Sequence, residues 1–390
     1  MANSLYLFLL GNTPDLSFVE LQVCFTEANV SRVADTMALC EFADDETAHA
    51  ALHRVGGTVK AARVIQQFET LTPEAAQAAF LEYLLEYSEK EKVTFAISEI
   101  GRDHLPPVSE VEIKQALRDA GKSSRYVEGP RSGLSASVLL HHSNILELVL
   151  AQTPNGLIFG RTVAVQNIDA WTERDRGKPY ADRKKGMLPP KVARMMVNLA
   201  LGTWNSSSSV SSSKPLLYDP FCGSGTVLLE ASELGCEVAG SDLDRVAVEG
   251  TRDNLKWWAQ QRSKNIPATI FTADVTKAEP AQLPRTVDLL VTEPFLGKQT
   301  PNPDQLPGIF RGLEKLYWGS FRHWTKLLSN NSVVVMIFPL VVVGKQSFSL
   351  ENLIDKLEPL GYTITSDPLV YHRPQAVIQR QIYIFKYKSN

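Results

Sequence analysis

The sequence predicts an α/β protein in which short apolar strands alternate with helices and converge on a ligand site in the C-terminal half. Three observations carry this. Residues 216–218 are apolar, lead into Asp219-Pro220-Phe221-Cys222-Gly223-Ser224-Gly225-Thr226, and are followed by an apolar run over 227–231. That order reads as a buried strand, a tight glycine turn and the start of a helix. Two more short strands end in acids, 237–241 in Asp242 and 268–273 in Asp274. A fourth, over 287–291, leads into Thr292-Glu293-Pro294-Phe295-Leu296-Gly297. Open α/β sheets bind ligands at the carboxyl ends of their strands.

Along the chain, residues 6–10 read as a first strand. They lack a basic leader and stop at Gly11-Asn12-Thr13-Pro14, unlike a signal peptide. Ser17 and Glu20 have the spacing of a capping box that opens a helix. Strands are expected over 92–99, 125–127, 135–140 and 157–165, with a helix over 111–120. This portion holds no glycine-rich loop and no acid–base cluster, which suits recognition better than chemistry. Pro189-Pro190 open a helix over 191–201, where the missing N–H is harmless. The serine-rich run within 204–214 reads as a flexible loop. The apolar stretch 333–343 is broken by Pro339 and too short to span a bilayer, so it reads as a central strand.

With 390 residues and 44% hydrophobic content, two or three domains with real cores are expected. A formal charge of −3 is not that of a generic nucleic-acid binder. Basic residues are concentrated locally, with nine Lys/Arg against four acids between Arg161 and Arg194. A second group comprises Lys114, Arg118, Lys122, Arg125 and Arg131, diluted by Asp119 and Glu128. Such runs are either solvated faces or phosphate contacts. Cys24, Cys40, Cys222 and Cys236 lack metal-ligand spacing, and free thiols in a reducing cytoplasm are expected.

The glycine turn is neither a Walker A loop nor Gly-x-Gly-x-x-Gly. An ordinary strand-to-helix turn is one reading. The other is a ligand loop, because Asp219 through Thr226 closely resembles motif I of S-adenosylmethionine-dependent methyltransferases, in the branch that methylates amino groups of nucleic acids. The resemblance implies S-adenosyl-L-methionine as cofactor, held by Asp219, Pro220, Phe221, Cys222, Gly223, Gly225 and Thr226. A side chain at either glycine would occupy ligand space. Asp242 would hold the ribose, with Asp244 as the next choice or as a helix cap. Asp274 would lie near the adenine, or simply on a surface loop.

Glu293, Pro294 and Phe295 would be the catalytic residues. An exocyclic amine is a poor nucleophile, and acceptors at its hydrogens localise its lone pair while an aromatic stacks the extruded base. Most relatives carry Asp/Asn-Pro-Pro-Tyr/Phe here. This chain has a longer acid, Phe295 in place of the second proline and Leu296 in place of the aromatic.

Leu52-His53-Arg54-Val55-Gly56-Gly57-Thr58-Val59-Lys60, Asp175-Arg176-Gly177-Lys178-Pro179 and the segment from Gly186 to Ala193 resemble THUMP-associated tRNA methyltransferases that act on guanine N2 at position 10. That family implies a ferredoxin-like domain over 1–65, a THUMP-like RNA-binding domain over 66–165, a basic linker over 166–186 and a doubly wound Rossmann-like methyltransferase domain over 187–390 with a seven-stranded sheet. An antiparallel pair over 370–373 and 379–387 would close that sheet. It further implies tRNA as partner, touched by Lys114, Arg125, Arg131, Arg176, Lys178 and Gly297, with no metal, no membrane and no protein partner specified. Arg373 and Arg380 either touch substrate or are solvated hairpin charges, the latter slightly favoured. A DNA amino-methyltransferase of the adenine or cytosine type, or an RNA-binding homologue without catalysis, are the alternative functions.

Overall fold

Residues 6–10 and 147–151 are buried at consecutive positions, so near-continuous apolar runs build the centre of the N-terminal sheet with core on both faces. The computed structural model describes residues 3–70, 72–87, 92–101, 108–182, 187–205, 214–373 and 376–389. Two compact units are present, Met1–Asp169 and Ala170–Asn390.

The first unit contains β1 (Ser4–Leu10), α1 (Pro14–Cys24), β2 (Ser31–Ala34), β3 (Met37–Phe42), α2 (Asp45–Arg54), β4 (Thr58–Phe68), α3 (Pro73–Tyr87), β5 (Lys92–Ile100), α4 (Glu110–Asp119), β6 (Ser123–Tyr126), α5 (Ala136–His141), β7 (Ile145–Thr153) and β8 (Gly156–Val165). Its eight strands form one sheet in the order β2-β3-β1-β4-β8-β7-β5-β6. The boundary expected after residue 65 falls inside β4, which pairs with β1 on one side and β8 on the other. Tyr6, Phe8, Leu21 and Leu52 belong to one core cluster, and Phe80, Phe95, Ile113, Leu117 and Phe159 to another.

Two local expectations fail here. Helix α1 starts after Thr13, which makes no side-chain cap bond, and is opened by Pro14, so Ser17 and Glu20 are interior, not a capping box. Glu20 is instead buried and accepts from the backbone N–H of Gly56 and Gly57, at 2.8 Å each. Residues 135–140 are not a strand: Ser135 accepts from Val138 N and caps α5. A serine followed by good helix formers outweighs the short apolar alternation.

A second buried carboxylate organises the other half of the sheet. Glu147 on β7 pairs with Lys60 on β4 at 2.7 Å, both nearly fully buried. It also accepts from Ser98 Oγ, Thr162 Oγ1 and Leu134 N. The carboxylate is therefore fully satisfied, as a buried charge must be.

The connecting α6 (Ile168–Thr172) leads into a short π-helical turn, Glu173–Gly177. The second unit continues with α7 (Pro190–Asn205), β9 (Leu216–Asp219), α8 (Thr226–Glu233), β10 (Glu237–Asp242), α9 (Arg245–Gln261), β11 (Ala268–Thr272), β12 (Val287–Thr292), α10 (Leu306–Trp324), β13 (Leu328–Val343), β14 (Gln346–Phe348), α11 (Glu351–Leu357), β15 (Tyr362–Ile364), β16 (Leu369–Tyr371) and β17 (Ile378–Tyr387). The sheet runs β11-β10-β9-β12-β13-β17-β15, with β14 appended to β13 and β16 to β17. It has nine strands where seven were expected, the extra two being three-residue edge ladders. Strands β10, β11, β9, β12 and β13 are mutually parallel and β17 is antiparallel. Strand β13 passes unbroken through Pro339. Residues 183–186 of the basic run and 206–213 of the serine-rich loop lie outside the described residues.

Lys60→Met should leave the Glu147 carboxylate buried without its cation and destabilise the chain by about 3 kcal/mol in chemical denaturation. Lys60→Met/Glu147→Met should recover most of that loss. Equal loss in the single and double variants would show that the pair itself is net stabilising and that the orphaned carboxylate adds no penalty.

Candidate active site

The chain leaves β9, builds β10 and β11 on one side, then crosses back to lay β12 against the other side of β9. The sheet thus reverses its winding between β9 and β12, the place where open α/β sheets form a ligand crevice. The acid of the glycine loop ends β9, and Thr292-Glu293 ends β12. Thr292 Oγ1 donates to Asp219 Oδ1 at 2.6 Å and ties the two strand ends together.

Asp219 is buried and also accepts from Phe221 N at 3.1 Å. Burial raises its pKa to about 7, against the pull of those two hydrogen bonds, with Asp242 and Glu293 adding repulsion. Pro220 is buried and Phe221 half-buried against the core. The Cys222 thiol is buried, which holds it well above its ordinary pKa and makes it an inert packing group.

The loop glycines have different reasons to be glycine. Both have positive φ, +53° at Gly223 and +76° at Gly225. A Cβ on Gly223 would meet nothing closer than 3.9 Å, so the chain has open space there. A Cβ on Gly225 would lie 2.9 Å from Thr251 Cγ2. At Gly225 an added side chain would meet Thr251 on α9, so packing accounts for that glycine, whereas at Gly223 the space stays open.

Asp242 Oδ2 accepts from Gly223 N at 3.0 Å, and Oδ1 from Asp244 N. Asp244 caps α9 through Val246 N. The structure separates the two acids, leaving Asp242 on the glycine loop and Asp244 on the helix. Asp274 accepts from the Thr276 N–H and hydroxyl, which lower its pKa. Leu243, 74% exposed beside Asp242, went unremarked in the sequence, where a lone Leu in a strand-to-helix turn carries no signal.

On the acceptor side Glu293 is half-buried, Pro294 buried and Phe295 60% exposed. Tyr317 on α10 donates to the Phe295 carbonyl at 2.8 Å and fixes the loop. Arg380 Nε lies 2.6 Å from Glu293 Oε1, both side chains about 85% covered. Arg380 is not a solvated hairpin charge. Its signal was present: Ile378, Arg380, Ile382 and Ile384 share one face of β17, so an arginine stands on an apolar stripe. Arg373 donates to Tyr371 Oη and to the Met187 carbonyl, so it too is engaged within the fold. Gly297 has φ +96°, and a Cβ there would lie 3.2 Å from Ile309, so close approach of α10 accounts for it.

The expected basic contacts divide. Lys178 is buried and donates to Thr226 Oγ1 at 2.9 Å and Ser224 Oγ at 3.3 Å, beneath the glycine loop. Burial depresses its pKa. It supports the loop and is not exposed to a phosphate. Arg174 and Arg194 are buried around Glu230; Arg194 Nη2 is 2.6 Å from Oε2. Arg174 Nε stands 2.8 Å from Oε1 with its N–H misaligned, an ion pair rather than a hydrogen bond. Trp171 lies under the Arg174 guanidinium at 4.1 Å. Arg176 is exposed. In the first unit, Arg125 and Arg131 are exposed and Lys114 is half-buried; Arg131 is 3.7 Å from Glu99. Among the described residues no cluster suits a metal ion, and no helix is long and apolar enough to cross a membrane.

Residues 180–343 match the model of UPF0020, the RMKL-like methyltransferase domain. The chain is 32% identical over 171 residues to a tRNA (guanine(10)-N2)-dimethyltransferase of Methanothermobacter thermautotrophicus, covering 44% of this chain and 42% of the relative. It is 30% identical over 151 residues to the enzyme of that name from Pyrococcus abyssi, covering 36% and 41%. The matched region spans about two fifths of each relative's length. The structure resembles that of TrmN from Thermus thermophilus, with a TM-score of 0.53 at 17% identity over 98% of this chain and 99% of the other. That likeness establishes the fold, a Rossmann-like α/β architecture.

Asp219 yields a pH test. An unfolded aspartate titrates near 4, whereas in the fold it titrates at about 7. The folded chain holds the extra proton in between, so the stability carried by the protonated form is lost as pH rises from about 4 to about 7. Asp219→Asn has no proton to lose. Its Tm relative to wild type should therefore rise between pH 5 and pH 8; a flat difference would mean that Asp219 is ionised throughout.

Proposed function

We propose that the chain transfers a methyl group from S-adenosyl-L-methionine to an exocyclic amine of a nucleic-acid base, specifically guanine N2 of a tRNA at a position-10-type site. The carrying observation is the pairing of a loop of Asp219, Gly223 and Asp242 with the Glu293 loop at adjacent strand ends, joined by the Thr292–Asp219 hydrogen bond. The matched methyltransferase domain supports methyl transfer, and the named tRNA-modifying relatives support tRNA over a DNA substrate. A cytoplasmic location accords with it.

The residues present fit the cofactor. Space stands open at Gly223, and Asp242 presents its carboxylate beside it. The cofactor, when bound, supplies an electrophilic methyl on a sulfonium. Asp242 would accept from vicinal hydroxyls, Asp274 would take an amino hydrogen, and Leu243 would cover a flat apolar ring. A cationic ligand favours the ionised form of Asp219, so donor affinity should strengthen as pH rises towards 7.

At the acceptor, the Glu293 carboxylate receives one amine hydrogen and a loop carbonyl the other, which localises the nitrogen lone pair towards the methyl. Arg380 holds Glu293 through Oε1 and leaves the second oxygen for the amine. Transfer would make the N–C bond as the donor's S–C bond breaks, and the Glu293 carboxylate would pass the amine proton to solvent. Phe295, exposed on a loop pinned by Tyr317, supplies a face for the extruded base.

Single-turnover measurement on unmodified tRNA tests this. Glu293→Ala should slow methyl transfer ~10²-fold or more with donor and tRNA affinities kept, and Glu293→Gln less so, since its amide oxygen still accepts. Glu293→Asp should also be slow, because the shorter side chain cannot both meet Arg380 and reach the amine. A wild-type rate in the Ala variant would remove Glu293 from the chemistry.

A further inference from the structure

Helix α10 has two faces. Leu306, Phe310, Leu313, Tyr317, Phe321 and Trp324 are buried on one. On the other, Arg311, Lys315, Trp318 and Arg322 are exposed at intervals of four, three and four residues. They form a stripe about 16 Å long.

Solvated helix faces usually mix charges of both signs through i,i+4 pairs, and rarely spend a tryptophan on water. This face is predominantly cationic and exposes a tryptophan. Glu314 is the helix's single acid, and its carboxylate is taken by Lys356 from α11 at 2.5 Å. Trp318 is 37% exposed, with the Arg322 guanidinium 5.4 Å from its ring. Arg311, Glu314, Lys315, Trp318 and Lys356 line a shallow groove. The cations therefore remain in excess along a helix of a chain whose net charge is −3.

We infer that this stripe is a second nucleic-acid contact, on the catalytic domain itself, in which Arg311, Lys315 and Arg322 meet phosphates and Trp318 stacks on an unpaired base or ribose. Charge complementarity selects a polyanion, and the interleaved aromatic selects one that carries bases. The same helix holds the Phe295 loop through Tyr317, so substrate gripped here is gripped on the element that supports the acceptor site. The inference rests on the proposed nucleic-acid substrate.

The test is equilibrium binding of an unmodified tRNA transcript to the full chain across a salt series, without donor and without turnover. Arg311→Gln/Lys315→Gln/Arg322→Gln should lower the slope of log affinity against log salt by about two and weaken binding tenfold or more at low salt. Trp318→Ala should weaken it about tenfold with the salt slope unchanged. Both variants should keep wild-type donor affinity, and the triple variant should keep wild-type Tm, since its three cations are exposed. If wild type binds and methylates tRNA while both variants bind it as tightly with an unchanged slope, the stripe is not a contact and the proposed function stands. A wild-type chain that binds no tRNA overturns both.

Discussion

The carboxylate of Asp219 is the constraint on which the C-terminal unit depends. It ends β9 at the point where the winding reverses, and it is almost fully removed from water. Such a group must find donors, and it finds them in Thr292 at the end of β12 and in the N–H of Phe221 in its own loop. Those two bonds fix the start of the glycine loop and set the neighbouring strand end in register with it. Glu293 follows Thr292 directly on one side of this joint, and on the other Gly223, two residues beyond Phe221, donates its N–H to Asp242. The cost of burying the acid appears as its raised pKa, a reserve that a cationic ligand would release.

The elements legible in the sequence were those whose signal is local. The strand, glycine turn and helix around 216–231, the acid-tipped strands and the proline-opened α7 follow from apolar runs and backbone chemistry within a few residues. Failures occurred where a local pattern competed with a distant partner. Ser17 and Glu20 have capping-box spacing, yet Glu20 turns inward because Gly56 and Gly57, 36 and 37 positions away, offer it two N–H groups. The division near residue 65 was invisible for the same reason. Nothing in residues 58–68 announces that one strand will pair on both edges and fuse two expected modules into one sheet.

Charge was the least legible property. Of the basic residues grouped between Arg161 and Arg194, Arg174 and Arg194 close on Glu230 beneath Trp171, and Lys178 braces the hydroxyls of the glycine loop. A one-dimensional count cannot distinguish a cation facing water from one buried against a carboxylate, because the deciding partner is 36 to 56 residues distant. Desolvation makes that distinction large: a buried guanidinium without its acid would cost several kcal/mol, whereas an exposed one is nearly free to meet a phosphate. Arg176, adjacent in sequence to such buried cations, is exposed. Helix α10 is the converse case, with few basic residues that the fold presents together.

Arg380 shows how the unusual acceptor motif can be self-consistent. A glutamate is longer than the common acid of the related motif and has one more rotatable bond, so by itself it would be poorly positioned for a reacting amine. The guanidinium from β17 removes that freedom by holding Oε1 at 2.6 Å in a setting where both side chains are largely covered. Tyr317 does the same for the loop backbone through the Phe295 carbonyl. The longer acid and the two restraints make a set: length carries the carboxylate out to its site, and a fixed partner from the antiparallel end of the sheet removes the disorder that length introduces. The substitution of Glu293 for a shorter residue in the motif is therefore read together with an arginine 87 positions away, and loss of either would leave the other largely covered without its ion-pair partner.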